Sequence, residues 1–151
     1  MALLNPQDQA KIGQLFESLE RPVRLVFFTV PSSPLIVPGR APGCETCDDA
    51  QHLLEELAEL SDSISLEVHH FERERDLAER YGVERVPALL VLGPEDGRIR
   101  YSGAPFGHEF ALLLQDIQLV ASGETGLSPA TRAALAAIPD PINIRVFVTP
   151  T

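Results

Sequence analysis

Residues 23–30 read Val-Arg-Leu-Val-Phe-Phe-Thr-Val, a nearly unbroken apolar run rich in β-branched and aromatic side chains. A strand takes that composition when both of its faces are covered, so the rest of the chain must supply two covering layers. The run therefore predicts the central strand of an α/β fold. At 151 residues and 44% hydrophobic content, the chain is long enough for one such domain and short for two.

The flanking segments supply the layers. Ahead of the strand, Asn5 can cap a helix and Pro6 suits its first position, with Ile12, Leu15, Phe16 and Leu19 as the buried stripe and Pro22 as the stop. After it, Pro31, Pro34, Pro38 and Pro42 with Gly39 and Gly43 make residues 31–43 a loop. Residues 48–60 then carry Ala50, Leu53, Leu54, Leu57 and Leu60 at helical spacing, and residues 64–70 alternate as a strand does. Strand, helix, strand implies a right-handed parallel crossover.

A short helix over 76–81 turns Leu77 and Tyr81 inward and ends at Gly82, before Val86-Pro87 leads into a strand over 88–92. Gly93, Pro94, Asp96 and Gly97 predict a turn, residues 98–102 an antiparallel return, and residues 107–122 a last helix stopped by Gly123. That helix buries Phe110, Leu113, Leu114, Ile117 and Val120. The expectation for residues 1–123 is one unit, a four-stranded mixed sheet flanked by helices.

Residues 124–151 add a helix opened by Ser128-Pro129 and a strand over 142–148. Val146-Phe147-Val148-Thr149 nearly copies Val26-Phe27-Phe28-Thr29, and each follows a capped, proline-opened helix. The tail thus reads as the start of a second copy of the unit, broken off at Thr151. With no second sheet to join, its apolar strand can either fold back onto the first unit or pair with the same segment of a second molecule, and of the two the homodimer through the tail is the expectation.

A formal net charge of −10 argues against nucleic acid and anionic membranes as partners. No stretch approaches the length of a membrane span, and the start has no positive segment ahead of an apolar run. A soluble, cytoplasmic protein is expected. In a reducing compartment its two cysteines, Cys44 and Cys47, favour chemistry or metal over a structural staple. They stand at the start of the 48–60 helix, where unpaired N–H groups and the helix dipole favour a thiolate. Cys47 continues the apolar stripe and should face inward, leaving Cys44 outward as the attacking sulfur. Two blander readings stay open: a pair of small buried hydrophobes, or half a zinc site. Zinc needs two further ligands, and His52, His69, His70 and His108 offer no second spaced pair; His69 and His70 point to opposite sides of a strand. No metal and no cofactor are expected. The charged run 72–75 reads as a solvated loop.

Tyr81-Gly82-Val83-Glu84-Arg85-Val86-Pro87-Ala88-Leu89-Leu90-Val91-Leu92, downstream of Cys44-Glu45-Thr46-Cys47, resembles the thioredoxin superfamily, and the likeness spans about residues 23–121. More narrowly, Arg100-Tyr101-Ser102-Gly103-Ala104-Pro105-Phe106-Gly107-His108-Glu109-Phe110 and the final Val146-Phe147-Val148-Thr149-Pro150-Thr151 resemble the glutaredoxin-like protein disulfide oxidoreductases, which join two thioredoxin-fold units. The resemblance implies a thioredoxin-like fold and thiol–disulfide exchange. Cys44 attacks a substrate disulfide and Cys47 resolves the mixed disulfide. It also implies a cis Pro87 facing the pair, Val86 presenting backbone groups to an extended substrate, and Gly103 beside the substrate groove. Read without the resemblance, Pro87 is simply a proline at a strand start. Partners so implied are protein or small-molecule disulfides and an upstream thiol or flavoprotein reductase.

Two features depart from the family pattern. Residues 31–43 interpose a long loop before Cys44, and Glu45, Asp48 and Asp49 put negative charge beside the thiols. That charge opposes the Cys44 thiolate and favours a reducing pair. The competing function is a non-catalytic docking module, the role the first unit takes in some two-unit relatives that have lost their cysteines. Retention of both cysteines argues against it.

Overall fold

The computed structural model describes residues 3–31, 44–94 and 98–147. The apolar run forms β1 (Val23–Thr29), buried at every position except Arg24. It is flanked by β2 (Ile64–His70) in parallel and β3 (Ala88–Leu92) antiparallel, while β4 (Arg98–Ser102) pairs antiparallel with β3. The sheet order is β2-β1-β3-β4, the expected four-stranded mixed sheet.

Alternation along β1 divides the interior in two. Val23, Leu25 and Phe27 point to a core built with α1 (Pro6–Glu17), α2 (Cys47–Ala58) and α4 (His108–Ser122). Val26 and Phe28 point to a smaller core under α3 (Arg75–Tyr81), where Ala78 and Val83 complete the packing. Complete burial of a Phe or Leu side chain contributes roughly 1.5–3 kcal/mol, so these two stripes carry the fold.

Helix ends follow local chemistry. The Asn5 side chain accepts from the Asp8 N–H at 2.9 Å, and Pro6 opens α1 as expected. The helix ends at Glu17 rather than at Pro22: Leu19 N–H turns back to the Phe16 carbonyl and the Ser18 hydroxyl donates to the Leu15 carbonyl. In α3 the fully buried residue is Ala78, with Leu77 and Tyr81 packed partly buried beside it. Gly82 caps α3 at φ 66° and Gly123 caps α4 at φ 69°; a Cβ on Gly123 would also run into the Arg21 guanidinium, which donates to the Ala121 carbonyl. Tyr101 donates to the Asp116 carboxylate and so ties β4 to α4; burial first, and then that bond, push its phenol upward.

The N-terminal segment is held by Glu56 of α2, which accepts from Leu3 and Leu4 N–H groups at 2.6 and 2.9 Å. These two bonds hold its carboxyl below the usual range. Among the described residues, no helix is long and apolar enough to cross a membrane.

The tail differs from the expectation in one respect. Its helix is present as α5 (Pro129–Ala136), with Ser128 accepting from the Thr131 N–H at 3.1 Å. Residues 142–147, expected as a strand, belong to none, and Val148 lies outside the described residues. The physical reason is the ladder: a strand is defined by its neighbours, and among the described residues this segment has none, with Ile144 81% and Phe147 90% exposed.

Candidate active site

The site grows from the first turn of α2. Cys47 is its first helical residue and fully buried, followed inward by Ala50, Leu53, Leu54 and Leu57. Cys44 lies three residues earlier, in the turn that enters the helix, and is partly exposed. The two are joined as a disulfide with Cα atoms 5.4 Å apart. Thr46 is the N-cap residue, but its side chain makes no capping bond, which leaves the first-turn N–H groups without a side-chain acceptor there. The positive end of the helix dipole therefore lies at the cysteine pair, opposed there by the first-turn carboxylates Asp48 and Asp49. Glu45, Asp48 and Asp49 are all exposed around the pair, as their polarity demands.

Strand register brings the remaining expected residues to the same end of the sheet. Phe28 pairs with Ala88 and His69, and Ala88 with Ser102, so the end of β1, the end of β2, the start of β3 and the end of β4 are level. As the crossover between parallel β1 and β2, α2 must begin at that end too. There Val86-Pro87 is a cis peptide bond, Pro87 is buried, and its carbonyl accepts from the Gly103 N–H at 2.9 Å. Gly103 has φ 140° and open space where a Cβ would stand, a smooth floor next to Pro87. Val86 is partly buried against the α3-side core. Residues 32–43, the long loop of the sequence reading, lie outside the described residues, as do 95–97 of the hairpin turn and 148–151 of the tail.

Among the described residues, no group of three or more His, Cys, Asp or Glu could hold a metal ion. His52 and His108 lie exposed on α2 and α4, and His69 and His70 take opposite faces of β2. The run 72–75 is more than a solvated loop. Glu74 accepts from the His70 N–H at 2.8 Å and holds the His69 ring at 2.8 Å, and these contacts, the backbone one first, lower its carboxyl pKa. Arg75 lies over the Phe71 ring, 5.5 Å from its centroid. The sequence signal for this was the close spacing of His69, His70 and Glu74, which metal-ligand reasoning alone did not exploit.

Comparison with known proteins agrees with this geometry. A protein disulfide oxidoreductase from Aeropyrum pernix K1 superposes with a TM-score of 0.73 at 28% identity, over 88% of this chain and 54% of that one. The NTD_N/C domain of the alkylhydroperoxide reductase AhpF from Enterococcus faecalis V583 gives 0.72 at 25% identity, over 90% and 61%. The chain thus spans little more than half the length of these relatives. No curated protein matches the sequence. The thioredoxin domain profile matches residues 37–115, from ahead of the cysteine pair through the cis-proline strand to α4, and the chain belongs to the thioredoxin-domain family.

Proposed function

We propose that this protein is a thiol–disulfide oxidoreductase working through Cys44 and Cys47. The observation that carries the reading is the asymmetry of the pair: one sulfur partly exposed at a helix entrance, the other buried as the first residue of that helix. In the reduced protein, Cys44 thiolate attacks a substrate disulfide, forming a mixed disulfide and expelling one substrate thiolate. Cys47 then attacks the Cys44 sulfur, releasing the second substrate thiol and closing the Cys44–Cys47 disulfide. Two electrons pass to the substrate, and a dithiol or flavoprotein reductase returns them.

Val86 offers its backbone to an extended peptide, Pro87 keeps a competing N–H away from the sulfurs, and Gly103 leaves room for the chain beside them. Substrates of this reading are protein or small-molecule disulfides in a reducing compartment such as the cytoplasm. Carboxylates at Glu45, Asp48 and Asp49 destabilise the Cys44 thiolate, hence the reduced form, and bias the pair toward the reductase end of the range, about −270 mV rather than about −120 mV. Glu45→Gln then lowers the Cys44 thiol pKa and raises the potential; no change in either removes that role.

Residues 1–123 are the working unit in this reading, and residues 124–151 are the opening of a second. The same segment from two molecules supplies the neighbours the tail lacks, which makes a homodimer. Reduction of a model disulfide by the reduced protein tests the activity: Cys44→Ser should lower the rate by about a hundredfold or more, and a rate close to the parent's overturns the assignment.

A further inference from the structure

Five polar side chains that the chemistry above does not use form a ring on the α3 face. Glu74, the N-cap residue of α3, holds the His69 ring through Nδ1 at 2.8 Å. His69 Nε2, which makes no hydrogen bond, lies at an ion-pair distance of 3.5 Å from Glu67, whose carboxylate is 3.4 Å from Arg24 Nε. Arg24 Nη2 donates to the Tyr81 hydroxyl at 3.1 Å, and Tyr81 is the last residue of α3. The ring therefore starts at one end of α3, crosses β2 and β1, and returns to its other end. All three strand members share the face that carries Phe28, whose ring meets His69 at 5.4 Å and Tyr81 at 6.0 Å. One step further on, the Gly82 carbonyl accepts from Arg100 of β4, so the chain leaving α3 is tied down as well.

A seven-residue helix buries little by itself, with Ala78 as its one fully buried residue, and helices this short depend on outside contacts. Its C-terminal end continues through residues 82–85 directly into Val86-Pro87. α3 and the Val86 backbone are thus joined by a short connection, with β3 holding the far side of Val86-Pro87.

We propose that the ring of Glu74, His69, Glu67, Arg24 and Tyr81 is a positioning network for peptide substrates: it seats α3 and, through it, the Val86 backbone that an extended substrate pairs with. This rests on the exchange reading above. It distinguishes two substrate classes, because a peptide disulfide uses the Val86 backbone and a small disulfide needs only the sulfurs.

The test compares a disulfide-linked peptide with a small aromatic disulfide on the full chain, in the parent, Glu74→Ala, Glu74→Gln and Tyr81→Phe. Glu74→Ala should raise KM for the peptide about fivefold, with kcat and the small-disulfide rate unchanged. Glu74→Gln keeps an acceptor for the His70 N–H and should recover most of that loss. Tyr81→Phe removes one hydroxyl without disturbing the core and should raise the peptide KM about twofold, which decides the matter if Glu74→Ala does not fold. Equal losses on both substrates, or none on either, overturn the positioning role. A parent protein that reduces neither substrate overturns the exchange reading and this inference together, whereas an active parent with an unchanged substrate ratio in the variants overturns this inference alone.

Discussion

Val26-Phe27-Phe28-Thr29 and Val146-Phe147-Val148-Thr149 are nearly the same four residues in two places, and the fold treats Val146 and Phe147, the described half of the second, opposite to Val26 and Phe27 of the first. In β1, Phe27 and Phe28 are fully buried, with a parallel neighbour on one side and an antiparallel one on the other. In the tail, Val146 is 79% and Phe147 90% exposed, in no strand. The preceding helices share a cap and a proline, yet α1 buries Ile12 and Phe16 and α5 buries nothing. Local sequence thus specifies what a segment can become, and non-local partners decide whether it does. Strand pairing depends on residues distant in sequence, whereas a helix cap is complete within four residues.

The largest expected contrast is in stability. Phe27→Ala should cost about 3–5 kcal/mol in a urea titration, whereas Phe147→Ala should leave the monomer's midpoint unchanged within about 0.5 kcal/mol. Equal costs would mean that the tail is already packed on the unit. Next is assembly: the full chain should sediment as a dimer and a version ending at Gly123 as a monomer of the same stability. If both run as monomers, the tail is not the dimer interface. The smallest contrast is between the caps. Asn5→Ala should destabilise the whole unit by about 1 kcal/mol, while Ser128→Ala should unwind α5 without moving the global transition. A shared loss would join α5 to the cooperative core.

Much of this fold was legible in order along the chain. The unbroken run 23–29 announced a strand covered on both faces, and the spacing of Cys47, Ala50, Leu53, Leu54 and Leu57 announced both the helix and which sulfur it buries. Val86-Pro87 was legible only through family likeness, since a proline at a strand start carries no isomer in its spacing. The end of α1 was misplaced at Pro22 because a proline is a conspicuous stop, while the closure through Ser18 and Leu19 depends on one hydroxyl and one carbonyl. The α3-face ring was invisible for a different reason. Tyr81 reads only as an inward residue of its helix and Glu74 only as part of a solvated loop; nothing in the spacing relates them to Arg24, Glu67 and His69, which the β1–β2 register makes neighbours.

The central claim is that the two sulfurs have different jobs, and trapping the intermediate tests it most directly. The reduced Cys47→Ser protein, offered a peptide disulfide, should accumulate a stable mixed disulfide on Cys44, visible as the added mass of one substrate thiol. Reduced Cys44→Ser, whose remaining thiol is the buried Cys47, should accumulate none in the same time. A mixed disulfide on Cys47 in the Cys44→Ser protein, with none on Cys44 in the Cys47→Ser protein, would contradict the assignment.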